Sequence, residues 1–271
     1  MTLVRSLVYF VVFYVVTALF VVFGSWLFVA PRSWAMKGLE IHGRTCTWLL
    51  RLICGTRMEV RGREKLPGGP CLIVSKHQSA WDTFALIPLF RDPAIVLKEE
   101  LKWIPFYGWF CLKFEHILIS RDRASAALKK LVADARNRAA QGREIFIFPE
   151  GTRRPPGAAP DYKPGYVALY EGLGLPCYPL ALNSGLYWPR RQLMRYPGTI
   201  IVEILDPIPP GLSRKAFRQV LEARLEAASD RLLQEAAAAP GAPPLPPTAV
   251  ARLAELARAA ENVAEQKKNI S

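Results

Sequence analysis

A mixed, largely parallel α/β sheet flanked by helices, preceded by an N-terminal membrane-embedded helix or two-helix arm, is the fold class this sequence predicts. Three observations point to it. Short apolar runs alternate with helical patterns between residues 71 and 205, the rhythm of strands joined by crossover helices. Those runs are continuous rather than alternating, which fits strands covered on both faces. The chain also opens with 24 uncharged residues, Leu7 to Ala30, the length of a membrane segment rather than an ordinary core helix.

Taken in order, the first element is LVYFVVFYVVTALFVVFGSWLFVA. As a helix it would measure roughly 36 Å, enough to cross a hydrocarbon core of about 30 Å. A cleaved signal peptide would show a shorter apolar region and small residues at its end; Trp26 and Phe28 stand there instead. Only Arg5 precedes the segment, whereas Arg32, Lys37, Arg44 and Arg51 follow it, which places the carboxyl side in the cytoplasm. In the next segment Lys37, Glu40, Arg44, Thr47 and Arg51 recur at helical steps, with Ile41, Thr45, Trp48, Leu49 and Leu52 between them. That amphipathic helix suits either the lipid headgroup region or packing on its own domain. Joined to the first segment, it would alternatively make a re-entrant hairpin on one leaflet. Residues 1–55 are thus expected to anchor the chain.

Residues 56–237 carry the α/β pattern. Cys71–Val74, Ala94–Leu97, His116–Ser120, Glu144–Phe148, Cys177–Leu182 and Thr199–Leu205 read as strands, and Trp81–Leu89, Arg123–Gln141 and Gly165–Glu171 as helices. A last helix is expected from Ser213, a natural cap, to Ala238. Residues 238–271 then hold the extended linker AAPGAPPLPPT and a short Ala- and Glu-rich helix. The aromatic stretch from Trp103 to Phe110 fits an acyl tunnel wall, a lipid contact or core packing equally well.

The net charge of +13 favours anionic partners such as phosphate-bearing substrates and acidic lipid. Zinc-finger spacing, RNA-binding aromatics and a long basic tail are all missing from the sequence, so no nucleic-acid partner is expected. The five cysteines are odd in number and mostly sit in apolar runs, as reduced cytosolic thiols do.

In such a sheet, ligands collect at the carboxyl ends of the strands, and that rim is rich in cations. Lys76 and His77 follow the first run, Lys98 the second, Arg121 and Arg123 the third, and Glu150-Gly151-Thr152-Arg153 the fourth; Asn183 closes the fifth. His77 and Asp82 are five apart and would diverge by about 140° on a continuous helix. A strand-to-helix turn between them brings the two side chains together. A carboxylate on one ring nitrogen fixes the tautomer and leaves the other basic, able to take a proton from a hydroxyl. No G-x-S-x-G elbow offers a serine nucleophile. No second histidine or cysteine cluster stands at ligand spacing, so neither a metal nor a cofactor is expected. A substrate alcohol is the proton donor that remains. Gly151 permits close backbone approach, while Arg153 and Arg121 offer forked donors for an anion.

The blocks SKHQSAWD at 75–82, ISR at 119–121, FPEGTR at 148–153 and YPLALNSG at 178–185 together resemble the four ordered motifs of the glycerolipid acyltransferase family, over roughly residues 55–210. The resemblance implies transfer of a fatty acyl group from acyl carrier protein or coenzyme A thioester (acyl-ACP or acyl-CoA) to the free hydroxyl of lysophosphatidate, giving phosphatidate. It implies a bilayer partner, and a bacterial inner membrane location with the catalytic domain on the cytoplasmic face. His77 is similar to the family's general base and Asp82 to its orienting carboxylate. Arg121, Glu150, Gly151, Thr152 and Arg153 resemble the glycerol phosphate site, with Lys98 also toward the phosphate; Pro179 and Asn183 belong to the fourth block. Leu118-Ile119-Ser120-Arg121 and Tyr178-Pro179-Leu180 depart from the commoner Phe-Ile-Asp/Asn-Arg and Val-Pro-Val, which bears on acceptor preference. Another lysolipid acceptor, such as a lyso-ornithine lipid, is the nearest alternative. A non-catalytic module gripping anionic lipid and a metal-assisted phosphoesterase are more distant ones.

Overall fold

The structure, a computed structural model, describes residues 1–120 and 124–268. The strands β1 (Thr56–Arg61), β2 (Leu72–Ser75), β3 (Ala94–Lys98), β4 (Ile117–Ile119), β5 (Ile145–Ile147), β6 (Cys177–Leu182) and β7 (Gly198–Ile204) form one sheet in the order β1-β7-β6-β2-β5-β3-β4. All neighbours are parallel except β6 and β7. Each of the six expected strands is present. β1 was not expected, because TRMEVR alternates charged and apolar residues and contains no apolar run. It exists as an edge strand paired along its length with β7.

The helices are α1 (Thr2–Phe23), α2 (Arg32–Cys54), α3 (Asp82–Ala85), α4 (Tyr107–Lys113), α5 (Ala124–Ala140), α6 (Gly165–Leu173), α7 (Ser184–Tyr187), α8 (Arg214–Ala238) and α9 (Pro247–Lys268). Side chains alternate across the sheet with the period of two that strands impose. Leu72, Val74, Ile145 and Ile147 meet Leu131, Leu169, Phe217 and Leu221 from α5, α6 and α8. On the opposite face, Ile73 and Phe146 share a core with Cys46, Leu50, Phe84 and Trp188. Leu72, Ile73 and Val74 are at most 1% exposed, so each contributes roughly 1.5–3 kcal/mol of burial. Ser213 caps α8, accepting from Ala216 N at 3.3 Å, as its position predicts.

Two expectations about helix extent are corrected. The expected helix from Trp81 to Leu89 is broken into α3 and a 3-10 turn, Ile87–Leu89. Pro88, within that turn, has no N–H to continue an α-helical ladder. The amino-terminal helix starts earlier than the uncharged run and ends at Phe23, not Ala30. Ser25–Phe28 form a 3-10 turn, and Pro31 keeps the preceding residue out of helix, so the chain reverses into α2.

α1 and α2 form a hairpin along the flank of the domain. Near one end Ser6 Oγ accepts from Arg195 N at 2.8 Å, and Tyr9 donates to Cys46 O at 3.1 Å while standing edge-on to Trp188. At the turn, Phe28 stacks on Phe110 of α4 at 4.2 Å. Arg32 then grips Asp92 with two bonds of 2.7 and 2.6 Å. α2 has three faces: Ala35, Gly43, Cys46 and Leu50 are buried in the domain, Lys37, Glu40 and Arg44 form an ion-paired polar stripe, and Trp34, Ile41, Trp48 and Leu52 are exposed. Packing on the domain and an outward apolar face thus coexist on one helix. α1 is the one described helix long and apolar enough to cross a membrane, and Phe10, Val11, Tyr14, Leu19 and Val22 on it are exposed. The aromatic stretch is not core either: Trp103, Phe106, Tyr107 and Trp109 are exposed. All five cysteines are unpaired and buried.

Candidate functional site

The strand order places β2 between β6 and β5, all three parallel. Their carboxyl ends therefore lie side by side, and the loops carrying His77, Glu150 and Asn183 leave the sheet at one place. His77 and Asp82 meet across the turn that connects β2 to α3. His77 Nδ1 lies 2.9 Å from Asp82 Oδ2, and the imidazole stacks on Phe148 with ring centroids 4.1 Å apart. Asp82 is itself over-determined. Oδ2 also accepts from the backbone N–H groups of Gln78 and Ser79 at 2.8 and 2.9 Å, and Oδ1 accepts from Ser184 Oγ at 2.5 Å. A carboxylate facing these donors is an acceptor, so His77 carries its proton on Nδ1 and presents Nε2 as the basic nitrogen. A bond on one side and a ring on the other fix the orientation of the imidazole.

The loop after β5 is tied to that histidine. Arg154 N donates to His77 O at 2.8 Å, so Arg153 is adjacent to the histidine strand end. Gly151 sits at φ +61°, the left-handed region that glycine enters without strain. Thr152 and Arg153 are half-buried. Glu150 points inward: Lys76 Nζ donates to Glu150 Oε1 at 2.7 Å and to Glu226 Oε1 at 2.9 Å, and the Glu150 side chain has no exposure. Burial, opposed by Lys76, raises its pKa. Here the carboxylate braces the loop from the buried side, and the next residue, Gly151, is exposed.

Lys98 closes β3 opposite Ile119 of β4, on the strand next to β5. Arg121 and Arg123 lie outside the described residues. Pro179 is buried in β6 beside Val74. Asn183 Oδ1 accepts from Ile201 N at 2.8 Å, stapling β6 to β7. Its Nδ2 is buried without a partner among the described residues.

Sequence reasoning passed over Ser184, which follows Asn183 and holds the outer oxygen of Asp82. It also passed over Arg190 and Arg191. Arg190 donates to Arg153 O at 2.8 Å, and its pKa is held down by burial first and then by the charges of Arg191, Arg153 and Arg154. None of these four guanidiniums is ion-paired with a carboxylate among the described residues. Like charges crowded together raise the positive potential beside His77. The adjacent Arg190-Arg191 pair in the sequence was the available signal. Glu226, on α8, had none, because only the fold carries it to Lys76.

Fold and site together define an α/β domain with a histidine–carboxylate pair at the carboxyl rim of its sheet and an apolar helical hairpin on its flank. Residues 57–183 match the Acyltransferase family model. The chain is 44% identical over 161 residues to the 1-acyl-sn-glycerol-3-phosphate acyltransferase of Pseudomonas aeruginosa, covering 59% of this chain and 63% of that protein. It is 29% identical over 182 residues to the alpha form from Mus musculus, covering 64% of each. The chain thus spans a little under two thirds of the length of these curated relatives. The crystal structure of the 1-acyl-sn-glycerophosphate (LPA) acyltransferase PlsC from Thermotoga maritima superposes with a TM-score of 0.71 at 21% identity, over 86% of this chain and 99% of that one. At that identity the likeness speaks for the fold.

Proposed function

We propose that this chain moves a fatty acyl group from the thioester of acyl carrier protein or coenzyme A to the free hydroxyl of lysophosphatidate, forming phosphatidate. The observation that carries this reading is the 2.9 Å contact of His77 Nδ1 with Asp82, on a strand end bonded directly to the arginine loop. His77 Nε2 removes the acceptor hydroxyl proton as the oxygen attacks the thioester carbonyl. The tetrahedral adduct collapses with cleavage of the carbon–sulfur bond, and the departing thiolate receives the proton from the imidazolium. Asp82 stabilises that imidazolium while it exists. Gly151, Thr152 and Arg153 take the acceptor phosphate with Lys98 and Arg121, the last by family resemblance alone, and Glu150 holds the loop in place. The relatives' names, 1-acyl-sn-glycerol-3-phosphate acyltransferases, agree with this acceptor.

The hairpin serves as the membrane arm, embedded in one leaflet. Its support is that Ser6 at one end and Phe28 at the turn both touch the domain. A bilayer-crossing α1 would therefore drag the charged domain into hydrocarbon, at a cost of several kcal/mol per buried ion. The expected location is the cytoplasmic face of a bacterial inner membrane.

His77→Ala, assayed with labelled acyl donors and a panel of lysolipids, should lose about 10²–10⁴-fold in turnover while still pelleting with membranes. Retained turnover would remove His77 from the chemistry. A preference for lyso-ornithine lipid or another lysophospholipid would change the acceptor and keep the base.

A further inference from the structure

The carboxyl-terminal segment reaches back to the site. Thr248 Oγ, in the first turn of α9, donates to Pro156 O at 2.7 Å. The next residue of the loop, Gly157, sits at φ +75°, and a Cβ there would lie 2.6 Å from Thr248 O and 2.8 Å from Ala249 Cα. Ala249 has no exposure and belongs to the same core as Leu182, Leu186 and Leu233. One turn later, Arg252 holds Asp230 of α8 through two bonds of 3.0 and 2.7 Å. The segment is therefore pinned on both sides of its contact with the loop.

What it pins is the far end of the arginine loop. Pro156 is buried and fills the space that a Cβ on Gly185 would need, 2.9 Å away, with the Cβ of Gln78 at the same distance. Gln78 Oε1 in turn accepts from Gly185 N at 3.1 Å. Two residues before Pro156, Arg154 N bonds the carbonyl of His77. A cavity of about 270 Å³ behind the site is lined jointly by Lys76, Gln78, Pro156, Glu226 and Arg252.

We propose that Thr248 is a positioning residue of the acyltransferase site, with Ala249 and the Arg252–Asp230 pair as its mount: it clamps Pro156-Gly157 and so holds Arg153 and Arg154 in register with His77. Its role in acceptor binding rests on the function proposed above; the clamp itself does not. Between the histidine and the clamp the loop has two glycines at positive φ, Gly151 and Gly157, and no regular structure between Pro149 and Pro164. A loop of that kind keeps one geometry only where side chains fasten it.

The test uses the full chain. Thr248→Val keeps the shape and removes the hydroxyl, and Thr248→Ser keeps the hydroxyl. The valine variant should raise KM for the lysolipid phosphate about three- to tenfold, the range of one hydrogen bond, with kcat changed less than twofold and thermal stability lowered by no more than that one bond. The serine variant should restore the wild-type KM. Hydrogen exchange at the Arg154 amide should speed up in the valine variant and return in the serine variant. Unchanged exchange, or a fall in kcat with KM unmoved, overturns the clamp. Faster exchange in a protein that acylates no lysolipid keeps the clamp and overturns only the acceptor reading.

Discussion

Asp82→Asn isolates the charge of the base pair from its geometry. The amide oxygen can still accept from Gln78 N and Ser79 N, now at 2.8 and 2.9 Å. Those two donors oppose the flipped amide, so the oxygen stays toward His77 and the Nδ1 proton keeps its acceptor. The amide nitrogen can donate to Ser184 Oγ, which now donates to Asp82 Oδ1. What disappears is one negative charge roughly 4 Å from the imidazole, at a site where the Asp82 side chain has no exposure and that of His77 is 11% exposed. Two unit charges at that distance attract by about 4 kcal/mol at an effective dielectric of 20. With the proton half to fully transferred in the transition state, about 2–4 kcal/mol is lost, a fall of roughly 30- to 10³-fold in kcat. KM for the acceptor should change little, because the ground-state imidazole is neutral. The assay is labelled acyl transfer at saturating donor, with thermal unfolding to establish that the variant is folded. A loss below about fivefold in a folded variant would show that Asp82 serves only to orient the ring.

Lys76→Met should destabilise the protein by about 3–5 kcal/mol, because it leaves the buried Glu150 carboxylate facing Glu226 without a cation; adding Glu150→Gln should recover most of the loss in a denaturation experiment. His116 supplies a pH dependence. Burial, and secondarily the nearby Arg143 guanidinium, push its pKa down to about 3, and Ile95 N–H donates to its Nδ1 at 3.3 Å. The unfolded chain takes up this proton near pH 6.5. Below that pH the unfolded state binds a proton the native state lacks, so stability falls as pH drops and levels off near 3. Between pH 7 and 5 the loss is up to about 2 kcal/mol. His116→Gln, which keeps an acceptor for Ile95, should flatten that slope; an unchanged slope would mean the ring charges without opening the structure.

Much of this molecule is legible in one dimension because its strongest signals are local. Six strands were visible because a strand covered on both faces must be apolar throughout, and CLIV, AIVL and CYPLAL are. β1 was invisible for the converse reason: an edge strand with charged residues gains its place from β7, some 140 positions away. His77 and Asp82 could be paired because five residues and one turn separate them. Ser184 and Glu226, which hold Asp82 and Lys76, stand 102 and 150 positions from their partners, and no spacing rule reaches that far.

By itself, the sequence determined the elements whose chemistry lies within a few residues: an uncharged amino-terminal helix, buried parallel strands, a histidine with its carboxylate, and arginines at strand ends. Only the tertiary structure decided how α1 folds back onto the domain, that Glu150 turns inward to Lys76, that Arg190 and Arg191 join Arg153 and Arg154, and that α9 touches the arginine loop. Local propensity and burial act along the chain and are written there. Charge neutralisation and packing act through space, and their partners exist only once the sheet has brought distant strand ends together.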